Sequence, residues 1–372
     1  MVVVRQMGLA SALGALEGAA AAFRAGLVSL TSAPDVEQMQ PGDDRPRPVA
    51  VHALPSESFG FTGLGRLTAL LAEALADLGT RLDLAKLPPK APVFVGLPSL
   101  VRRESMPLID DDMEPVEDPR DPRLDAAARL ILQRAGEAIG WRVHMRGVSA
   151  LAEGETAFAV ALAAARDACL EHGAPGALVI AVDSLVDPAV LDQEMAEGRV
   201  KTGENQTGYM PGEAAVAAWV TSREPGDDGV LVVHAISLTP PLAEGEAARR
   251  PDGRTLATCV IKAAGRLPGG TPPTLFSDHD GRTATALELG YARHVLAARG
   301  SSLADAPIVY PVLGFGRTGA ASGGVGIAVA SRALVRGWAR TPAAVVLSVA
   351  DSGARAAIMI SAGPSSQKSE RR

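Results

Sequence analysis

The strongest constraint on this chain is that it carries nearly the same pattern twice. Residues 156–184 run TAFAVALAAARDACLEHGAPGALVIAVDS, and residues 318–352 run TGAASGGVGIAVASRALVRGWARTPAAVVLSVADS. Each is a helix-length run of small residues, a turn marked by Gly or Pro, and an apolar strand ending in Asp-Ser. A helix rich in Ala and Gly around its circumference offers no polar face to water, so it belongs among other elements. Two such helices, each feeding a central strand, predict two similar halves packed helix to helix. Helix–turn–strand units also recur in α/β proteins that are not duplicated.

The rest of the chain fits this α/β reading. RLTALLAEALADL (66–78) has helical periodicity and precedes APVFVGLP (91–98), a buried-strand pattern. The N-terminal MVVVRQMGLASALGALEGAAAAFRAG is superficially like a secretory leader. However, Val2 to Val4 precede the first positive charge, and Glu17 and Arg24 interrupt the apolar stretch. It is read as a strand followed by an Ala-rich helix. Segments 31–48, 101–123 and 240–254 are polar, Pro-rich or charge-dense, and are expected to be loops.

Composition excludes several classes. At 372 residues the chain is ample for a large core or two fused halves. Its net charge of −6 and lack of a long basic run argue against nucleic acid as the main partner. The longest helix-like uncharged stretch, Thr318 to Ser331, is shorter than the about 18 residues a membrane span needs. Cys169 and Cys259 are too few for a disulfide framework and have no metal-ligand spacing, which points to a reducing cytoplasm. No cofactor or metal site is expected.

Three stretches carry a family resemblance. TGAASGGVGIAVASRAL (318–334) resembles the C-terminal histidine motif of β-ketoacyl synthases. NQTGYMPGEAAVAAWV (205–220) resembles their turn leading into a strand, and HGAPGALVIAVDS (172–184) the strand after the nucleophile helix. The resemblance implies a thiolase fold: two βαβαβ-type halves in five α-β-α-β-α layers, usually dimeric. The halves are expected at 1–225 and 226–365, followed by a polar tail at 366–372. Dimers of this kind pair through the edge strand of the N-terminal half, and ALVIAVDS (177–184) is expected near that interface.

The catalytic positions are where the chain departs from the family. Condensing enzymes use a cysteine at the start of a buried helix and two histidines that stabilise enolate charge. The nucleophile position falls on Glu155 or Thr156. Arg317 takes the place of the C-terminal histidine, and Val312 that of its supporting lysine. His279 aligns with the other histidine and Glu288 follows it, but Asp278 and Asp280 flank it, so DHDGR also fits a plain solvated turn. SVADSGARAAIMI (348–360) stands in for the gating loop, with Asp351 and Arg355 placed for a local ion pair. Cys169 lies inside its helix and Cys259 in a strand-like segment, TLATCVIKA, both as buried small hydrophobes.

Losing the cysteine, histidine, lysine and gate together implies that the condensing chemistry is gone while the fold remains. The expected function is a non-catalytic interaction module with a protein partner. The variant motifs are similar to degenerate synthase-like proteins found beside type VI secretion effector genes. That similarity implies an adaptor or effector-loading role, with a secreted effector as partner. Two alternatives stay open. One is an acyl transferase, hydrolase or decarboxylase using His279 with Thr156 or Glu155. The other is an inactive subunit of the chain-length-factor type. A buried Arg317 needs an anionic partner. Glu153, Glu155, Asp278, Asp280 and Asp351 are the candidates, and the glutamates are favoured because their stretch replaces the cysteine loop.

Overall fold

A computed structural model describes the chain except residues 40, 41, 43, 55–59, 99–121, 146, 228–230, 243–251, 266–270 and 364–372. The N-terminal strands are β1 (Val2–Ser11), β2 (Thr31–Gln38), β3 (Arg47–Val51), β4 (Val93–Gly96), β5 (Val148–Leu151), β6 (Ala177–Ser184) and β7 (Glu213–Ser222). The remaining strands are β8 (Leu231–Thr239), β9 (Thr274–Ser277), β10 (Ile308–Val309), β11 (Ala343–Val349) and β12 (Arg355–Ala362). The helices used below are α1 (Leu16–Arg24), α2 (Gly63–Gly79), α3 (Pro122–Ala138), α4 (Ala157–Leu170) and α5 (Pro188–Ala196). They continue with α6 (Arg254–Ala264), α7 (Thr283–Ala298) and α8 (Ser322–Val335).

Ten strands join in the order β10-β9-β11-β12-β8-β1-β7-β6-β4-β5. From the centre outward the two arms are the same. β1-β7-β6-β4-β5 matches β8-β12-β11-β9-β10, with the same antiparallel and parallel pairings. Only the start of β1, Val2 to Val4, pairs with β8, at Leu231 to Val233. The sequence echo is therefore a structural repeat.

Side-chain alternation assembles the layers. On β6, Ala177, Val179 and Ala181 face a core shared with α4 and α8, while Leu178, Ile180 and Val182 face α2 and α3. On β11, Ala344 and Val346 face the shared core, and Val345 and Leu347 face α6 and α7. This gives helix, sheet, helix, sheet, helix, as expected for the thiolase fold. The central layer depends on small residues. A Cβ at Gly324 of α8 would lie 2.9 Å from the Phe158 ring of α4 and 2.9 Å from Val216 Cβ. Among the described residues, no helix is long and apolar enough to cross a membrane.

Several local expectations are corrected. Segment 31–48 is not a loop: it supplies β2 and the start of β3, an antiparallel hairpin. Ala33, Val36, Val49 and Val51 give it a buried face against Val190 and Leu191 of α5, which its polar composition masked. Cys259 lies in helix α6, where Leu256, Val260 and Ala263 are buried with it at helical spacing. ALVIAVDS is β6, enclosed between β4 and β7, so it cannot be an edge; the edges are β5 and β10. The core of segment 101–123, the middle of segment 240–254 and the tail at 366–372 lie outside the described residues.

Candidate functional site

Both central helices begin in the same way. A turn of 3-10 helix, Gly154–Thr156, leads into α4, and Gly319–Ala321 leads into α8. Each turn starts on a glycine with positive φ, 56° at Gly154 and 51° at Gly319. Asp183, at the end of β6, accepts a hydrogen bond from the Ala320 backbone N–H at 2.8 Å and ties the second turn to the first half. The two helix starts thus meet at the junction of the halves, where the resemblance places a condensing site.

Arg317 enters this junction from the loop before α8. Its backbone is clamped: its N–H donates to Met210 O at 2.8 Å, and its carbonyl accepts from Gly212 N–H at 2.9 Å. Gly212 is required there, because a Cβ would sit 2.2 Å from Phe315 O. The guanidinium lies over the Tyr209 ring, 4.7 Å from its centroid. Nη2 meets Glu155 Oε1 at 2.5 Å and Asp351 Oδ2 at 2.7 Å, and Nε is 3.6 Å from Asp280 Oδ2.

A second cation completes the cluster. Arg282 places Nε 2.8 Å from Asp280 Oδ2 and Nη2 2.8 Å from Asp351 Oδ1, and it also lies over Tyr209, at 5.6 Å. Asp351 therefore bridges both guanidiniums. The Tyr209 hydroxyl donates to Glu194 Oε2 at 2.5 Å, and Arg199 meets both oxygens of Glu194, each at 2.8 Å. Neither Arg282 nor Tyr209 was singled out by sequence reasoning. The available signals were the arginine that ends DHDGR and an aromatic in a chain with only 3% aromatics.

The charges shape each other. Burial opposes the charge on Arg317, but Glu155, Asp351 and Asp280 outweigh it and raise its pKa well above the ordinary value. Burial likewise pushes Asp351 up, yet Arg317 and Arg282 hold it well below the usual carboxylate range. Asp278 goes the other way. Burial raises it well above the usual range, and Glu155 and Asp280 add to the rise against the Val349 N–H and Arg317. Asp278 thus tends to carry a proton. His279 is pulled down to about 4, chiefly by burial and further by Arg355, so it is neutral.

The sequence-predicted positions separate on this map. Glu155 and Arg317 are brought into contact. Thr156 is buried and its hydroxyl donates to Glu153 O at 2.8 Å. His279 is buried, not solvated: its Nδ1 bonds Ser277 Oγ. DHDGR is a structured cap, in which Asp280 accepts from the Arg282 N–H and the Thr285 hydroxyl at the start of α7. Arg355 does not pair with Asp351; it binds Glu288 through two contacts, 2.6 and 2.8 Å. The turn carries Asp351 inward to the two other arginines, which sequence spacing could not show. Burial pushes both cysteine thiols up, and each lies in a separate helix.

Little space is left. The cavity lined by Ser277, Asp278, Phe315, Arg317, Ser322 and Leu347 has about 10 Å³, near the minimum for one water. Four buried polar atoms here have no hydrogen-bond partner: Asp278 Oδ1, His279 Nε2, Arg317 Nη1 and Ser348 Oγ. Among the described residues, no group of three His, Cys, Asp or Glu side chains is arranged to hold a metal.

No family model and no curated protein matches the chain. Solved structures do. The ishigamide ketosynthase/chain length factor is 19% identical over 97% of this chain and 99% of that chain, with a TM-score of 0.67. The oxazolomycin ketosynthase domain from Streptomyces albus is 16% identical over 97% of this chain and 74% of that one, with a TM-score of 0.71. A type II ketosynthase, solved with its acyl-carrier protein and bound to the hexaketide, is 15% identical over 97% and 99%, with a TM-score of 0.70. The chain has the thiolase fold of these ketosynthases.

Proposed function

We propose that this protein is a non-condensing module of the ketosynthase-like fold that works by binding another protein. One observation carries the reading: the Glu155–Arg317 ion pair occupies the junction where the resemblance calls for an acyl-accepting thiol and its histidine. A side chain tied to a guanidinium at the helix start has no thiol to acylate. The neighbouring Thr156 hydroxyl is donated to the Glu153 backbone carbonyl. The remaining cavity of about 10 Å³ has no room for an acyl chain. These facts also weigh against an enzyme built on His279 with Thr156 or Glu155.

The test is covalent loading. Incubation with labelled acyl-CoA or acyl-loaded carrier protein, followed by intact-mass measurement, is expected to leave the mass unchanged. A stable adduct on Thr156, Cys169 or Cys259 overturns the reading.

The partner is the finer part of the proposal. A secreted effector, loaded in a reducing bacterial cytoplasm, is the first reading. Capture from the native cell followed by mass spectrometry tests it, and recovery of an effector is the expected result. The second reading is a chain-length-factor-type subunit. It is favoured by the likeness to proteins described as pairing a ketosynthase with a chain length factor. It predicts a stable complex with a cysteine-bearing homologue. In either case we propose halves at 1–225 and 226–365; on the first reading we propose self-association through the β5 edge of the sheet. A monomer by light scattering at micromolar concentration would exclude the homodimer.

A further inference from the structure

Asp351 stands apart from the other carboxylates on Arg317 and Arg282. The Glu155 side chain is 4% exposed and that of Asp280 2%, whereas that of Asp351 is 38% exposed. Arg317 already has Glu155, and Arg282 already has Asp280. Asp351 is thus a third anion on two cations, held at the solvent side of the cluster. It reaches from the turn between β11 and β12 and gives one oxygen to each guanidinium, at 2.8 and 2.7 Å. Both contacts use Nη2, so neither guanidinium is engaged as a two-nitrogen fork. Arg317 Nη1 is enclosed, with its side chain 3% exposed, and no acceptor meets it. Both guanidiniums lie over the Tyr209 ring, 5.6 and 4.7 Å from its centroid.

We propose that Arg282 and Arg317 form a carboxylate-binding clamp on Tyr209, which Asp351 occupies as an exchangeable latch until a carboxylate from outside takes its place. The incoming group bridges the two guanidiniums as Asp351 does. Asp351 is joined to the chain, so it competes at high effective concentration, and the latched protein binds free carboxylates weakly. The carboxylate can come from a small acid or from an acidic side chain of a partner. The inference rests on the non-condensing reading of the pocket. Covalent loading tests that reading separately, so an acyl adduct would end it without deciding the clamp.

The experiment removes the latch. Full-length Asp351→Ala is titrated with sodium acetate against sodium chloride at matched ionic strength, and thermal unfolding is recorded. A saturable, acetate-specific rise in Tm is expected, with apparent affinity at least about tenfold tighter than in the wild type, which keeps its tethered competitor. Adding Arg282→Gln to that variant should abolish the response. An acetate response equal to that of chloride, equal to that of the wild type, or insensitive to Arg282→Gln overturns the clamp. Should Asp351→Ala fail to fold, Asp351→Asn keeps the side-chain shape, and ¹⁹F line broadening of fluoroacetate is compared with wild type under the same criteria. Succinate and a short Glu-containing peptide, titrated in parallel, separate the sources. Tighter succinate binding assigns a small acid, and tighter peptide binding assigns a partner's side chain. If neither acid binds the unlatched protein better than the wild type, the proposal is wrong.

Discussion

Two buried arginines sit in this fold under opposite bookkeeping of charge. Arg66 of α2 faces one carboxylate, Glu213 at the start of β7, and both Glu213 oxygens are fully engaged. Oε1 accepts from the Leu54 N–H at 2.8 Å and from Arg66 at 3.2 Å; Oε2 accepts from Arg66 at 2.7 Å and from the Ser184 hydroxyl at 2.8 Å. Arg317 instead shares its surroundings with Arg282 and four carboxyl groups, Glu155, Asp278, Asp280 and Asp351. Orphaned atoms lie among them, and one side opens to solvent. A one-to-one pair with every lone pair used is a brace: it can only be broken. A crowded, asymmetric cluster can redistribute protons and partners. That difference separates a structural site from a candidate binding site better than burial does, since both guanidiniums are buried.

The sharpest way to break the comparison is at the brace. Arg66→Ala removes the guanidinium that meets both oxygens of the fully buried Glu213, and breaking such a pair costs about 3–5 kcal/mol. Chemical denaturation should show a loss in that range. A loss under about 1 kcal/mol would mean that water reaches Glu213 and that the brace is no brace.

Arg317→Ala should lose less, roughly 3 kcal/mol. Asp280 keeps Arg282, and Asp351 can turn to water, so the main loss is the buried Glu155 contact to Arg317. Replacing both partners, Glu155→Leu with Arg317→Leu, should recover part of that loss, because no lone charge remains. A Tm for Arg317→Ala close to wild type would show that the ion pair does not hold the junction.

How much of this was legible in the sequence follows from which interactions are local. The small residues of α4 and α8, and the glycines that start their turns, encode close approach directly, so the duplicated halves could be read. Arg317 could be read as needing an acid, and Glu155 was among those named. The bridge through Asp351 could not, because Asp351 and Arg355 lie four residues apart in sequence, yet Asp351 turns to Arg317 and Arg282 while Arg355 turns to Glu288. The β2–β3 hairpin was hidden because only four of its side chains supply its apolar face. The strand-like pattern at Cys259 failed because a short apolar run does not distinguish a strand from a buried helix.

The cluster's protons give a subtler contrast, since the Arg66 brace has no comparable set of groups around it. His279 has an ordinary value of 6.5 and is lowered to about 4. The unfolded chain therefore takes up this proton first as pH falls, and stability drops with falling pH across that window. Between pH 6.5 and 5 the loss amounts to about 2 kcal/mol, from about 1.4 kcal/mol per unit. His279→Gln should remove it. Denaturation midpoints of variant and wild type, taken at both pH values, should diverge by that amount, and parallel curves would count against a buried neutral imidazole.

The wild type itself should show a smaller effect, because the shift of Asp278 opposes that of His279. Its folded pKa lies well above the ordinary 3.8, so above that value the unfolded chain has already released a proton that the folded chain retains. Stability then falls as pH rises, the reverse of the histidine's slope, by up to about 1.4 kcal/mol per unit. Asp351 adds no slope here, because its pKa is lowered and its contribution is lost only as pH falls below the ordinary carboxylate value. The two slopes oppose each other, so the wild-type midpoint should change with pH less steeply than the histidine alone would make it. Asp278→Asn keeps an oxygen for the Val349 N–H, removes the opposing proton and should expose the histidine slope, so its midpoint rises with pH. His279→Gln should do the reverse and fall with pH. Opposite tilts in the two variants, with the wild type between them, would be the signature of one proton held against another in a single cluster. Variants that both run parallel to the wild type would show that neither group is perturbed as described.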